Sequence, residues 1–190
     1  MMAKIVLIST SPRKKGNTML AMGEMAAAIQ ENGGEAEVYS FAGKSFGSCK
    51  ACYACKKTGK CAIDDGVNEM AEVLKQADGM IIGAPVYFGT ARGDCMNFLQ
   101  RLGMINFAND RFLGGKVGGP ITVARRGGHT ATLSEMLMFF FINGMIVPGA
   151  NYWNMGFGKV PGEVAEDTEG MENFKLFAAN VLKVANQMAK

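Results

Sequence analysis

No stretch of this sequence runs to the roughly eighteen uninterrupted apolar residues that a membrane-spanning helix needs; the most apolar one, Met136 to Ile142, covers about two helical turns. No membrane partner is expected. An excess of one charge is also lacking. The net charge is +3 over 190 residues, so the whole-molecule field does not announce a nucleic-acid binder. Charged residues make up 19% and hydrophobic ones 48%, which excludes a disordered chain and a coiled coil. The first apolar run, Ile5 to Ile8, is far too short for a secretory signal and leads into a polar loop, so a cytoplasmic location is expected. No internal repeat or linker divides the chain, and residues 1–190 read as a single domain able to bury a core. Glycine, by contrast, is plentiful at 25 residues, which suggests tight turns and close approach of backbone to a ligand.

Cysteine is scarce but not scattered. Four of the five, Cys49, Cys52, Cys55 and Cys61, fall within thirteen residues at the spacing C-x2-C-x2-C-x5-C. In a reducing cytosol this reads as a metal site rather than a disulfide framework. Clustered C-x2-C-x2-C runs with a fourth cysteine nearby are the usual way a chain wraps a [4Fe–4S] cubane. Zinc is the main alternative, although structural zinc sites usually split their ligands into two separated pairs. Lys44, Lys50, Lys56, Lys57 and Lys60 crowd the same region. A thiolate-ligated cluster carries net negative charge, so these cations would stabilise it and raise its potential, or would receive an acidic partner. Lysines that merely keep a loop soluble are the plainer alternative. Cys95 stands apart and reads as a small buried apolar residue.

Along the chain, short apolar runs alternate with helical patterns. Lys4 to Ser9 predicts a strand buried on both faces, Met19 to Asn32 a helix ended by Gly33-Gly34, and Glu37 to Ser40 a second strand. The cysteine segment follows, from about Gly43 to Asp65, a connection too long to be a plain turn. Asp65 resembles an N-cap for a helix over Val67 to Ala77. Gly79 to Gly83 predicts a third strand, Cys95 to Leu102 a helix, and Lys116 to Ala124 a fourth strand broken early by Gly118-Gly119-Pro120. Thr130 to Asn143 is an apolar helix, Met145 to Pro148 a short fifth strand, Gly149 to Gly170 irregular, and Met171 to Ala189 a closing amphipathic helix. The expectation is an α/β fold: a doubly wound, five-stranded parallel sheet in the flavodoxin-like order 2-1-3-4-5, with a long cysteine-rich loop after strand two.

Three unusual loops then follow strands one, three and four, and so share the carboxyl edge where such sheets bind ligands. The first offers Ser11, Arg13, Gly16, Asn17 and Thr18 ahead of a helix, which suits a phosphate monoester. It is neither G-x4-G-K-[S/T] nor G-x-G-x-x-G, so a mononucleotide phosphate fits it better than a pyrophosphate. An ordinary solvated turn is the alternative. The second, Pro85-Val86-Tyr87-Phe88-Gly89, sets two aromatics beside bare backbone, as a planar isoalloxazine ring requires. The third, Arg125-Arg126-Gly127-Gly128, adds cations that would stabilise an anionic reduced flavin. Taken singly, the aromatics could be core and the arginines a solvated face. His129, the one histidine, lies beside this third loop; a proton-transfer role there competes with that of a polar residue opening a helix.

These features together resemble the iron–sulfur flavoprotein family, a branch of the flavodoxin-like NADPH-dependent FMN reductase superfamily. The match is carried by Ser11-Pro-Arg-Lys14, the cysteine run, Ile63-Asp-Asp65, Ala84-Pro-Val-Tyr87, Gly127-Gly128, Gly144-Met-Ile-Val147 and Glu166-Asp-Thr-Glu-Gly-Met171, collinear along nearly the whole chain. Where family members often carry K-x-F-x-D-R after the second loop, this chain keeps Phe98 and Arg101 but has Met96 and Gln100; His129 stands where a Gln is common. The resemblance implies an oxidoreductase with FMN on the three loops and a [4Fe–4S] cluster on the four cysteines. It further implies a homodimer or tetramer in which the cluster faces the FMN of a neighbouring subunit, and a ferredoxin-like electron donor. NAD(P)H enters as a donor only through the resemblance, since no nicotinamide-binding motif is readable. Two other readings stay open: a cluster-free NAD(P)H-dependent FMN or quinone reductase, and a non-catalytic electron carrier or sensor.

Overall fold

A computed structural model describes residues 2–188 of the chain. Lys4–Ser9 forms β1, followed by α1 (Asn17–Glu31) and β2 (Glu35–Ser40). The cysteine segment holds one short helix, α2 (Ala54–Thr58), and leads to α3 (Val67–Lys75) and β3 (Gly79–Tyr87). A two-residue β4 (Thr90–Ala91), α4 (Gly93–Phe107), β5 (Val117–Ala124) and α5 (His129–Ile142) come next, then β6 (Met155–Phe157), a 3₁₀ turn over Glu163–Glu166, and α6 (Thr168–Met188). Ala189, assigned from the sequence to the closing helix, lies outside the described residues. No helix among the described residues is long and apolar enough to cross a membrane.

The sheet runs β2-β1-β3-β5-β6, with β4 attached to β3 alone. All five main strands are parallel, so counting only these the order is the expected flavodoxin-like 2-1-3-4-5. The apolar run of β1 is continuous because both of its faces are covered. Ile5 and Leu7 point into a layer shared with Met22, Ile29, Phe174 and Phe177 of α1 and α6. Val6 and Ile8 point the other way, toward Leu74, Phe98, Leu102 and Phe140 of α3, α4 and α5.

Three departures from expectation each have a physical cause. Met145–Pro148 is not a sheet strand: only Ile146 pairs there, through one parallel bridge to Val117. The edge strand is β6, inside the stretch expected to be irregular, and the chain between Ile146 and Met155 loops outward. Three residues are too few to show a period, which is why the sequence pattern passes over them. Second, β5 is not broken by its glycines and proline. A Cβ on Gly118 would sit 1.8 Å from the Met80 carbonyl oxygen, so glycine is what lets β3 and β5 pair. The N–H groups of Gly118 and Thr122 reach across to Ile146 and Asn154, so Pro120, between them, turns its missing donor toward the looped-out gap. Third, β3 continues through Pro85 to Tyr87 and turns back as a hairpin, with Val86 opposite Ala91 and Tyr87 opposite Thr90. Gly118→Ala is expected to destabilise the fold by about 3 kcal/mol in denaturant unfolding. Gly127→Ala, whose added methyl meets open space, should stay within about 0.5 kcal/mol.

Candidate functional site

The amino end of α1 has neither a capping side chain nor an acidic residue in its first turn, and its cap position, Gly16, is extended. Its free N–H groups and the positive end of the helix dipole therefore face the carboxyl edge of the sheet, as an anion site requires. Ser11 turns its hydroxyl back to accept the Arg13 N–H (3.2 Å). A Cβ on Gly16 would come within 2.7 Å of that hydroxyl, so the loop is wound as tightly as glycine permits. Asn17 is committed on one side: its Oδ1 accepts the N–H groups of Gly162 (2.8 Å) and Val164 (3.4 Å). Its amide NH₂ lies against Gly158, where a Cβ would meet Nδ2 at 2.6 Å. Asn17 thus ties the first loop to the chain that leaves β6.

One cavity of ≈ 180 Å³ opens at this point, lined by Ser11, Arg13, Gly16, Asn17, Thr18, Pro85, Val86, Tyr87 and Arg125. Nine of the fourteen residues expected to hold a cofactor are thereby gathered from three loops. The other five are placed elsewhere. Phe88 and Gly89 form the exposed tip of the β3–β4 hairpin, Phe88 at φ 51°. Gly128 (φ 90°) opens α5 and packs so closely that a Cβ would meet Gly89 Cα and Val86 Cγ1 at 2.8 Å; Arg126 and Gly127 are exposed beside it. The second and third loops are therefore in contact, and Glu135 fastens the hairpin by accepting from Thr90 Oγ1 and the Ala91 N–H (2.5 Å each). Pro12, Val123, Ala124, Gly158 and Lys159 complete the lining and escape the sequence reading. Val123 and Ala124 end β5 inside the expected fourth strand, and could have been found by counting the last residues of that strand with the loop that follows it; Gly158 and Lys159 depend on β6, which has no readable period.

The cavity is smaller than the roughly 300–1,000 Å³ of a pocket enclosing a whole ligand. It suits the phosphate and sugar-alcohol end of FMN, with Tyr87 (45% exposed) and Arg125 at the open rim for the ring. His129 is not among the lining residues. It is buried, its Nε2–H donates to the Gly156 carbonyl (3.0 Å), and its ring packs against Phe157 with centroids 4.5 Å apart.

The cysteine segment makes a second site. Cys49, Cys52, Cys55 and Cys61 all line one cavity, floored by Arg101, Met104 and Ile105 of α4. Cys49 and Cys52 are exposed, Cys61 is half-buried and Cys55 is buried in α2. Ala51 (φ 50°) and Tyr53 (φ 55°) are left-handed, an uncommon conformation for residues with a Cβ, and they turn the chain between successive cysteines. Among the described residues no three potential ligands close to the spacing of a single metal ion. A cubane carries its four thiolates on four separate irons, so its ligands stand wider apart than in a mononuclear site. Cys49, Cys52, Cys55 and Cys61 line one cavity of ≈ 20 Å³ and together offer four thiols to such a group. Asp65 is not the N-cap of α3; Gly66 (φ 100°) holds that place. Its carboxylate instead pairs with the buried Arg101 (2.5 Å) and accepts the Gly47 N–H (3.0 Å). Burial works to raise the Asp65 pKa, but the bonds from Arg101 and Gly47 outweigh it and hold the group below its ordinary value. Cys95 is fully buried, and burial pushes its thiol up to about 12, so it is inert.

The family model for NADPH-dependent FMN reductase matches residues 3–159. An iron–sulfur flavoprotein of Methanocaldococcus jannaschii is 38% identical over 98% of this chain and 100% of its own. The chain belongs to the iron–sulfur flavoprotein branch of the NADPH-dependent FMN reductase family. Membership makes it a flavin-dependent oxidoreductase. A second iron–sulfur flavoprotein, from Methanosarcina thermophila, is 34% identical over 98% of this chain and 97% of its own. Among solved structures, the flavodoxin, WrbA-like protein of Agrobacterium tumefaciens superposes with a TM-score of 0.68, at 19% identity over 97% of this chain and 98% of that one, a likeness of fold.

His129 gives this flavoprotein a defined response to acid. Burial holds its pKa below the ordinary histidine value, with the Gly156 hydrogen bond and the Asp167 charge offsetting part of that effect. The unfolded chain therefore binds a proton that the folded one resists. Stability from this residue is full above about pH 6.5 and is lost as pH falls below that value toward the folded pKa. His129→Gln should flatten this part of the stability–pH curve, measured by denaturant unfolding between about pH 7.5 and 5.

Proposed function

We propose that this chain is a cytoplasmic redox flavoprotein that carries FMN and a [4Fe–4S] cluster and relays electrons from a ferredoxin-like donor through the cluster to FMN and on to an acceptor. The observation that supports the reading is a pair of candidate sites on one chain: an uncapped helix end in a three-loop pocket, and four cysteines lining one cavity. The names of the full-length relatives support the same pairing. When bound, FMN exchanges electrons singly or in pairs and the cluster exchanges them singly.

The chain's own groups have distinct parts in this reading. Ser11, Asn17, Thr18 and the N–H groups opening α1 hold the phosphate, with Arg13 free to swing its guanidinium onto it. Pro85, Val86 and Tyr87 offer an apolar face to the ring, and Arg125 places a cation on the rim where charge accumulates on reduction. Cys49, Cys52, Cys55 and Cys61 ligate the cluster. The exposed Lys50, Lys56, Lys57 and Lys60 around them present a positive surface to an acidic protein donor, and the assembly is a homodimer or tetramer.

Protein prepared without oxygen should contain about four irons, matching sulfide and about one FMN per chain. Serine at Cys49, Cys52, Cys55 or Cys61 should abolish the cluster signal and leave FMN in place; zinc without sulfide in the wild type would sink the cluster assignment. Arg13→Ala should weaken FMN binding about tenfold or more, read by fluorescence titration, because it removes one charge-assisted phosphate bond. A cluster-free NAD(P)H-dependent FMN or quinone reductase is the runner-up, favoured by the exposure of Cys49 and Cys52. Rapid NADPH-dependent FMN reduction that is indifferent to the same Cys→Ser changes would decide for it.

A further inference from the structure

Arg101 is the bulkiest of the fully buried side chains among the described residues, and neither the flavin pocket nor the electron relay has yet given it a role. A guanidinium keeps its charge inside a protein, so its N–H groups must find acceptors. Four of its five donors do. Nη1 donates to Asp65 Oδ2 (2.5 Å) and the Gly47 carbonyl (3.2 Å), Nη2 to the Ile63 carbonyl (2.8 Å) and Nε to Cys61 Sγ (3.2 Å). These acceptors come from both ends of the cysteine segment: Gly47 precedes the first cysteine, and Cys61, Ile63 and Asp65 surround the last.

The rest of the same helical face does similar work. Asp94 accepts the Phe46 N–H (2.7 Å), Asn97 donates to the Phe46 carbonyl (2.8 Å), and Asn97 Oδ1 accepts from Ser48 Oγ (2.9 Å). Positions 94, 97 and 101 follow one stripe of α4. Arg101 alone among them reaches a cysteine sulfur. Asn68 locks the backbone of that cysteine from the other side, accepting the Cys61 N–H (2.8 Å) and donating to its carbonyl (3.0 Å).

We propose that Arg101 is the positioning residue of the cysteine centre: it fixes Cys61 Sγ and both ends of the segment before any cluster is bound, and its N–H bond to that sulfur raises the reduction potential of a cluster once bound. The inference rests on the assignment of these cysteines to a [4Fe–4S] cluster. Hydrogen bonds to ligating sulfurs draw electron density from them and are among the levers that set cluster potential.

Three variants separate the two halves of the claim. Arg101→Lys keeps the charge and loses the fork, and Arg101→Met keeps the bulk and loses both. The double variant Asp65→Asn/Arg101→Met removes both buried charges together, which keeps the test available if the single Met variant does not fold. In iron-free protein, backbone amides 47–65 should exchange with deuterium about tenfold faster in the Met variants, and after anaerobic reconstitution iron should pass to a chelator about tenfold faster. Arg101→Lys should hold a cluster at a more negative midpoint potential, and FMN content should stay at the wild-type level in every variant. Wild-type exchange, iron retention and potential in these variants would overturn the proposal. If the wild type itself takes up no iron and sulfide, the cluster assignment falls, and the exchange measurement alone judges Arg101: lost protection in the double variant supports its positioning role, unchanged protection refutes it.

Discussion

The pairing of β3 with β5 is the constraint on which the three-loop pocket depends. Seven residues of each strand are in register, from Gly79 opposite Val117 to Pro85 opposite Val123, and the two loops that follow emerge side by side. The pairing is possible only because Gly118 has no Cβ to drive into the Met80 carbonyl. Further along β3, Gly83 does the same for the first loop. A Cβ there would meet Met22 Cε at 2.4 Å and Thr18 Cγ2 at 2.8 Å, so its absence lets the start of α1 lie down on the sheet end. Close backbone approach, and not side-chain bulk, brings the three loops within reach of one ligand.

The cysteine segment is ordered by different means. It has no strand partner and only one five-residue helix, too short to be stable alone. Its backbone groups are instead met by side chains from neighbouring helices: Asp94, Asn97 and Arg101 of α4, Asn68 of α3, and Asn109, which donates to the Gly59 carbonyl (2.7 Å) just past α4. A segment held this way is as firm as the helices that carry its partners.

This contrast explains what the sequence could disclose. The first four parallel strands, the sheet-covering helices and most of the pocket follow from continuous apolar runs and the loops after them, because a sheet buried on both faces writes itself into consecutive residues such as Ile5 to Ile8. The cysteine spacing was legible because thiolates in such a row have few other uses. Three kinds of feature stayed hidden. β6 is too short for a period, so Gly158 and Lys159 could not be placed beside Ser11. The glycines of β5 read as breaks because their reason lies on another strand. Asp65 read as a cap because its true partner, Arg101, is thirty-six residues away in the chain.

The two candidate sites also meet at one element. Arg92, at the foot of α4, donates to the Thr10 carbonyl (3.0 Å), where β1 gives way to the phosphate loop, and pairs with Asp94. Asp94 in turn accepts the Phe46 N–H at the head of the cysteine segment. Two turns on, Arg101 grips the far end of that segment. The start of α4 and its cap therefore touch the first loop and the start of the cysteine segment through one ion pair, with a side-chain exposure of 14% for Arg92 and 16% for Asp94. The helix follows directly from the β3–β4 hairpin that walls the three-loop pocket, so one continuous stretch of backbone lines that pocket and then the cysteine cavity.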